Sequence, residues 1–193
     1  MTEDFRDADL SNQTWEGRHF EHTEFVDADL RGLVTKGCTF DHCDFSRADL
    51  GESKHTTSAF RSCTFERTNL THSEFSGCTF LGASFFECRF RPVKFTDTDL
   101  TLVSLAGANL RKTRLSGLRF REANLSGADL RECDLTGTDL RGARLLETKL
   151  AGADLRGAQL DANGLRQGAL SGARVDIDMA IAFAAAHGLQ VGG

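Results

Sequence analysis

Large apolar residues recur at every fifth position from Phe5 to Val175, a spacing that fits neither an amphipathic helix nor a half-buried strand. Of the 35 positions in this frame, all but two hold Phe, Leu, Trp or Val, and the exceptions are Thr35 and His55. Thirteen of the 15 Phe residues lie in the frame. A repeat this regular predicts a single structural unit that recurs along nearly the whole chain.

The position two residues before each large residue is mostly small, as at Ala28, Ser53 and Ala128. All six cysteines occupy this position. One large and one small inward side chain per five residues predict a narrow tube, whose core is buried by contacts between successive coils. The pattern therefore predicts an all-β solenoid with coils about 4.8 Å apart. The cysteines are expected to pack as small apolar residues rather than to bind metal or form disulfides.

The motifs "ADLRG" at 153–157 and "ANLSG" at 123–127 match the consensus of the pentapeptide-repeat proteins, which the chain resembles over roughly nine tenths of its length. The resemblance implies a right-handed quadrilateral β-helix with four pentapeptides per coil. The sequence supports this 20-residue coil independently, because Trp15, Thr35 and His55 are spaced by 20 and would share one face. We expect the β-helix to occupy residues 1–175.

The five-residue frame ends at Val175, and residues 176–193 are predicted to form a C-terminal helix and tail. The segment "MAIAFAAAH" is rich in strong helix formers, Asp176 or Asp178 is a suitable N-cap, and Gly188 is the expected end.

This helix is predicted to cap the solenoid and to join two protomers. The last coil of a solenoid exposes strand edges and core, which favour aggregation unless they are covered. Ile177, Ile181 and Ala184 fall on one helical face, and with Phe183 they are the candidate capping and dimerisation residues. Apolar surface left over after capping would pair two copies about a two-fold axis.

Acidic residues are concentrated at the N-terminal end. Residues 1–60 carry 13 Asp and Glu against six Lys and Arg, whereas residues 111–160 carry seven against ten. A 20-residue coil would align the excess acid into two columns, one of Asp4, Glu24 and Asp44 and the other of Asp9, Asp29 and Asp49. Stacked like charges repel and cost stability, so a structural role alone does not account for the columns. They are therefore candidates for a binding surface. The alternative is that Asp before the central Leu only orders the turn by hydrogen bonding.

Acidic columns of this kind imitate duplex DNA, which carries one negative charge per about 1.7 Å of axis. Within the family, the chain is similar to the mycobacterial fluoroquinolone-resistance proteins, through "GESKHTTSAFRSCTFERTNL" at 51–70, "RFRPVKF" at 89–95 and "GARVDIDMAIAFAAAHGL" at 172–189. Those relatives are homodimeric DNA mimics that bind DNA gyrase. The resemblance implies that gyrase is the partner, through its DNA-binding surface or its ATPase subunit, and that the protein modulates gyrase and confers fluoroquinolone resistance.

Two alternatives stay open at this level. The chain could be a structural or adaptor solenoid for another protein partner, with its acid serving only solubility. The mimic could also be centred on the dimer, through Asp161, Asp176 and Asp178.

An enzymatic role is not expected. The chain has no Tyr, its six His show no metal-ligand spacing, its Gly residues follow the repeat rather than a phosphate-binding loop, and a narrow tube has no lumen. We therefore predict no catalytic residue, metal or cofactor, and no direct nucleic-acid binding. An acidic N-terminus already in the repeat frame and the lack of a long apolar run predict a cytoplasmic protein with no membrane contact. Pro92 is the only Pro and predicts a bend, with a cis Arg91–Pro92 bond as one option.

Overall fold

The computed structural model describes residues 4–191, so the ends of both predicted segments, 1–3 and 192–193, lie outside the described residues. The chain forms a parallel β-solenoid in which residue i pairs with residue i+20, from Asp4↔Glu24 to Asp154↔Arg174. The predicted fold class is confirmed. The named strands are β1 (Thr14–Glu16), β2 (His19–Glu21), β3 (Val34–Lys36), β4 (Thr39–Asp41), β5 (Lys54–Thr56), β6 (Ala59–Arg61), β7 (Thr64–Glu66), β8 (Ser73–Ser76), β9 (Ser84–Phe86) and β10 (Val93–Thr96).

We number the coils from residue 4 in steps of 20 and give each coil four faces. Faces 1 to 4 of the first coil are centred on Phe5, Leu10, Trp15 and Phe20. Strands β7 and β9 lie on face 1, the sheet β1-β3-β5-β8-β10 forms face 3, and β2-β4-β6 lies on face 4. Elsewhere the coils are joined by single bridges and by backbone hydrogen bonds of 2.5–3.3 Å.

The interior is filled by stacked rings and small side chains, as the five-residue pattern predicts. On face 1 the rings of Phe25, Phe45, Phe65 and Phe85 follow one another at centroid distances of 4.9, 5.0 and 4.6 Å. All six cysteines are free, and five are buried while Cys88 is half-buried. Burial raises the pKa of Cys78 and Cys133 to about 11, which keeps both thiols protonated at neutral pH. The cysteines therefore pack as small core residues.

The two exceptions to the frame meet each other on face 3. Strand pairing places Thr35 between Trp15 and His55, which confirms the 20-residue coil. The Thr35 hydroxyl lies 2.8 Å from His55 Nδ1, and His55 Nε2 lies 2.9 Å from the Ser53 hydroxyl. Burial lowers the pKa of His55 to about 3, because a charged imidazole would lose its hydration there. His55 is thus a neutral, hydrogen-bonded core residue.

The last coil departs from the predicted β-helix. Helix α1 (Ala162–Gln167) replaces face 1 of the coil that begins at residue 164, inside the range predicted to be solenoid. Asn163 falls at the small inward position, where its amide would be buried, and the helical path exposes it instead. Leu165 nevertheless keeps its central position and is buried.

Helix α2 (Ile177–Ala186) follows the last bridge, and its N-cap is Asp176. One Asp176 carboxylate oxygen accepts the amide of Met179 and the other accepts the amide of Gly157 in the preceding coil. Asp161 caps α1 in the same way, through the amides of Gly164 and Gly142. In regular coils a backbone carbonyl accepts the corresponding amide of the preceding coil. Each aspartate side chain replaces that carbonyl and also caps the helix that follows it. The positive φ of Gly188, 81°, follows the end of α2.

Neither helix could cross a membrane, since no helix among residues 4–191 is long and apolar enough. The Arg91–Pro92 bond is cis.

Candidate partner-binding surface

The two predicted acidic columns exist and lie on adjacent faces. Bridges join Asp4 to Glu24 and Glu24 to Asp44 on face 1, and Asp9 to Asp29 and Asp29 to Asp49 on face 2. Sequence reasoning missed the corner between the two faces, where Asp7 and Asp27 stand at the second position after each central residue. We call this region the acidic edge. It consists of Asp4, Asp7, Asp9, Glu24, Asp27, Asp29, Asp44 and Asp49, with Arg6, Arg31 and Arg47 among them.

Most carboxylates of the two columns also have a structural role. In Asp9, Asp44 and Asp49, Oδ1 accepts the backbone amide two residues later at 3.1, 2.8 and 2.8 Å. These hydrogen bonds close the turn at each corner. These aspartates therefore do order the turn, and the same bond recurs at Asp129 and Asp154 in the C-terminal half.

The two halves of the molecule differ in how fully their aspartates are paired with arginine. In the C-terminal half Asp129, Asp139 and Asp154 each hold the arginine two residues later through two hydrogen bonds of 2.6–2.8 Å. The arginine lowers the pKa of Asp129 and of Asp154 to about 2. Each of these carboxylates is thereby matched by one positive charge.

The acidic edge is only partly neutralised. Arg31 binds Asp29 through two hydrogen bonds, Arg47 binds Asp27 from the next coil, and Arg6 contacts Glu24. Eight carboxylates against three arginines leave five negative charges on this edge.

Three column carboxylates are held by neutral groups. Among residues 4–191 no Lys, Arg or His lies within ion-pair distance of Asp9, Asp44 or Asp49. The hydroxyls of Ser11 and Ser46 bond to Asp9 and Asp44, and the Asn69 amide bonds to Asp49. The hydrogen bonds from Ser11 lower the pKa of Asp9, so this carboxylate stays ionised at neutral pH. These three residues carry the uncompensated charge of the columns.

The predicted capping and dimerisation residues lie mostly on the outside of α2. Ile177 is 77% exposed, Ile181 44% and Phe183 39%, while Ala184 is half-buried. The residue that α2 buries against the last coil is Met179, which sequence reasoning did not single out. An apolar cleft of about 210 Å³ remains between the helix and the last coil, lined by Leu165, Leu170, Ala173, Val175, Met179, Ala180 and Phe183.

The acids of the alternative, dimer-centred surface have two different roles. Asp161 and Asp176 are the helix caps described above, and Asp178 is exposed in the first turn of α2.

A family model described as a pentapeptide repeat region matches residues 1–75 and 68–145. The chain belongs to the pentapeptide-repeat family. No curated protein sequence matches it.

Two solved structures of QnrB1, a plasmid-mediated fluoroquinolone resistance protein, share the fold over almost the whole chain. Full-length QnrB1 is 22% identical, with 98% of this chain and 99% of QnrB1 covered at a TM-score of 0.83. A trypsin-treated QnrB1 variant is 24% identical, with 99% of this chain and 98% of that chain covered at a TM-score of 0.82. At these identities the similarity establishes the fold.

Proposed function

We propose that this pentapeptide-repeat protein is a dimeric DNA mimic that binds DNA gyrase, modulates its activity and confers fluoroquinolone resistance. It acts by binding rather than by catalysis, and it works in the cytoplasm, where bacterial gyrase meets the chromosome.

The observation that carries the proposal is the uncompensated acid of the acidic edge. The Asp turn occurs throughout the solenoid, yet its charge is cancelled by arginine at Asp129, Asp139 and Asp154 and left open at Asp9, Asp44 and Asp49. Turn formation alone does not require this difference, since an Asp that is paired with an arginine closes the turn equally well. Negative charges repeated at about 4.8 Å on two adjacent faces attract a surface that is built to hold the phosphates of DNA.

The dimer is supported by the exposed side of α2. Ile177, Ile181 and Phe183 present large apolar side chains to solvent beside an apolar cleft at the end of the rod. Apolar surface of this kind, placed at a chain end, fits a self-complementary contact about a two-fold axis. The two acidic edges would then point away from each other, at opposite ends of a longer rod.

The second candidate is an adaptor solenoid for another protein. It is favoured by the hydrogen bonds that give the column carboxylates a structural role. Under that hypothesis the acidic edge serves solubility, and gyrase shows no affinity for the protein.

Supercoiling by purified gyrase tests the proposal. The protein is titrated into the reaction with and without a fluoroquinolone, at two concentrations of competing duplex DNA. We expect inhibition of supercoiling that added DNA relieves, and fewer drug-stabilised cleavage complexes. Unchanged supercoiling and unchanged cleavage at protein in large excess over gyrase would reject the gyrase assignment and favour the adaptor.

A further inference from the structure

The ladder that joins the coils is interrupted between coils 5 and 6. Within the described residues, no backbone hydrogen bond and no bridge connects residues 87–98 of coil 5 with residues 106–119 of coil 6. On either side the ladder is intact, through Ser84↔Ser104 on face 1 and Asp99↔Arg119 on face 4. Strand β10 is accordingly the outer strand of its sheet. We call this opening on faces 2 and 3 the seam.

Pro92 accounts for part of the seam. At the same corner of the neighbouring coils, the amide of His72 bonds to the carbonyl of Pro92 and the amide of Lys112 bonds to the carbonyl of Arg131. Pro92 has no N–H to offer to the carbonyl of Arg111. One inter-coil bond is therefore impossible in this sequence, at the centre of the opening.

The seam leaves both donors and acceptors of the backbone without backbone partners. The corresponding amides of the next coil, Leu110 and Leu115, bond to carbonyls at 3.0 and 2.8 Å. In the seam, the amides of Phe90, Phe95 and Asp97 on one edge and of Asn109 and Arg114 on the other have no such bond. The opposing carbonyls lack their usual donors for the same reason. A free edge of this type is a template for an added strand.

Most of the charged side chains that line the seam are cations. It contains a cleft of about 480 Å³ beside Pro92 and another of about 340 Å³ beside β10. Their lining carries five cationic side chains and a single carboxylate, Asp97; the cations are Arg91, Lys94, Arg111, Lys112 and Arg114. Arg111 and Lys112 share Glu132, and Arg114 is 3.7 Å from Asp134. Among residues 4–191 no carboxylate lies within ion-pair distance of Arg91.

We propose that the seam binds an extended acidic segment of a partner protein, which adds as a strand to β10 while its carboxylates meet Arg91, Arg111, Lys112 and Arg114. An isolated phosphate would satisfy the free amides but would face the free carbonyls with more negative charge. An extended peptide offers N–H and C=O groups along both edges, so it satisfies both kinds of group. The cations select acidic side chains. This surface is distinct from the acidic edge in position and opposite to it in charge.

The test uses a fluorescent nonapeptide of alternating Asp and Val and the full-length protein, with binding followed by fluorescence anisotropy. We expect saturable binding that weakens with salt. The same peptide with Lys in place of Asp, and the acidic peptide with its amides N-methylated, should not bind. Arg91→Gln with Arg114→Gln should weaken binding about tenfold or more, because two charge-assisted contacts are lost. Arg121→Gln with Arg144→Gln, which removes two exposed cations outside the seam, should change it less than twofold.

Hydrogen exchange by NMR gives a second measurement that needs no variant. The acidic peptide should slow exchange at Phe95, Asp97 and Arg114 of the unaltered protein. Absence of binding, or protection only elsewhere, would overturn the proposal. Equal binding of the N-methylated peptide would show that backbone hydrogen bonds are not needed and would overturn strand addition. Displacement of the acidic peptide by pyrophosphate or duplex DNA at equal charge concentration would make the seam a site for phosphate-bearing anions and would also overturn it.

Discussion

At the scale of single residues, the aspartate before each central residue has two separable roles. Its carboxylate closes the corner turn along the solenoid, and its charge is cancelled where an arginine stands two residues later, as in Asp139 and Arg141, or where an arginine of a neighbouring coil reaches it, as Arg119 reaches Asp99. The sequence was sufficient to predict the columns, because their alignment follows from the 20-residue coil. Which carboxylates remain open was not predicted, because it also depends on whether an arginine of a neighbouring coil reaches them, as Arg119 reaches Asp99 at 3.1 Å.

The buried His55 predicts a loss of stability in acid. Because its pKa falls from about 6.5 in the unfolded chain to about 3 in the fold, only the unfolded state takes up a proton as the pH falls through that window. The imidazole therefore costs stability increasingly below pH 6.5, by about 1.4 kcal/mol per pH unit until about pH 3. His55→Phe removes this proton uptake and can keep the stacking on Phe75, although it leaves the Ser53 hydroxyl without its partner.

Urea unfolding at pH 7.5 and pH 5 measures the effect. The free energy of unfolding of the unaltered protein should fall by about 2 kcal/mol more than that of His55→Phe over this range. His72→Gln, which alters an exposed imidazole, is the control and should follow the unaltered protein. Parallel pH dependences for the unaltered protein and His55→Phe would show that His55 is protonated in the fold.

The inward frame predicts opposite results for two neighbouring phenylalanines. Phe65 is 1% exposed between Phe45 and Phe85, so Phe65→Asp buries an unpaired charge and should abolish folding. Phe86 is 55% exposed and outside the frame, so Phe86→Asp should change the free energy of unfolding by less than about 1 kcal/mol. Circular dichroism and size-exclusion chromatography distinguish them. A soluble, β-rich Phe65→Asp protein would contradict the inward assignment.

At the scale of elements, the repeat was predictable and its interruptions were not. A strict five-residue frame determines faces, coils and pairing, because one shifted residue would turn every large side chain outward. Helix α1 had only a weak sequence signal, the polar Asn163 at an inward position. The seam had another, Pro92, but the unpaired amides of Phe90 and Phe95 depend on how far the coils separate, which the pattern does not contain.

The terminal helix gives the prediction for this scale. Ile181→Asp with Phe183→Asp changes two exposed side chains, so the solenoid should still fold while the proposed dimer dissociates. Light scattering coupled to size exclusion should show a monomer. Leu146→Asp, at a 58% exposed position on the solenoid wall, is the control and should remain dimeric. A stable dimer in the double variant would place the interface away from α2.

At the scale of the whole molecule, the rod is electrically asymmetric. Its first coils carry the open acidic edge, its middle coils carry the cationic seam, and its last coil carries the helix whose apolar side is exposed. The net charge of −5 does not reveal this asymmetry, because it adds the charges of the acidic and basic parts together. Long-range attraction to a partner depends on this distribution rather than on the total.

The central claim is tested most directly by two sets of substitutions that remove the same number of charges from the same kind of turn. Asp9→Asn, Asp44→Asn and Asp49→Asn keep the oxygen that closes each turn and remove open charge from the acidic edge. Asp129→Asn, Asp139→Asn and Asp154→Asn do the same in the C-terminal half, where arginine already cancels the charge. A third variant, Asp178→Asn, examines the dimer-centred alternative without disturbing the Asp161 and Asp176 caps.

The measurement is the dissociation constant for purified gyrase as a function of salt concentration. The first set should weaken binding at low salt by about tenfold or more and flatten the salt dependence, because three attractive charges are lost. The second set and Asp178→Asn should leave affinity and salt slope within about twofold of the unaltered protein. Equal affinity and equal salt slope for the first set and the unaltered protein would contradict electrostatic mimicry of DNA by the acidic edge.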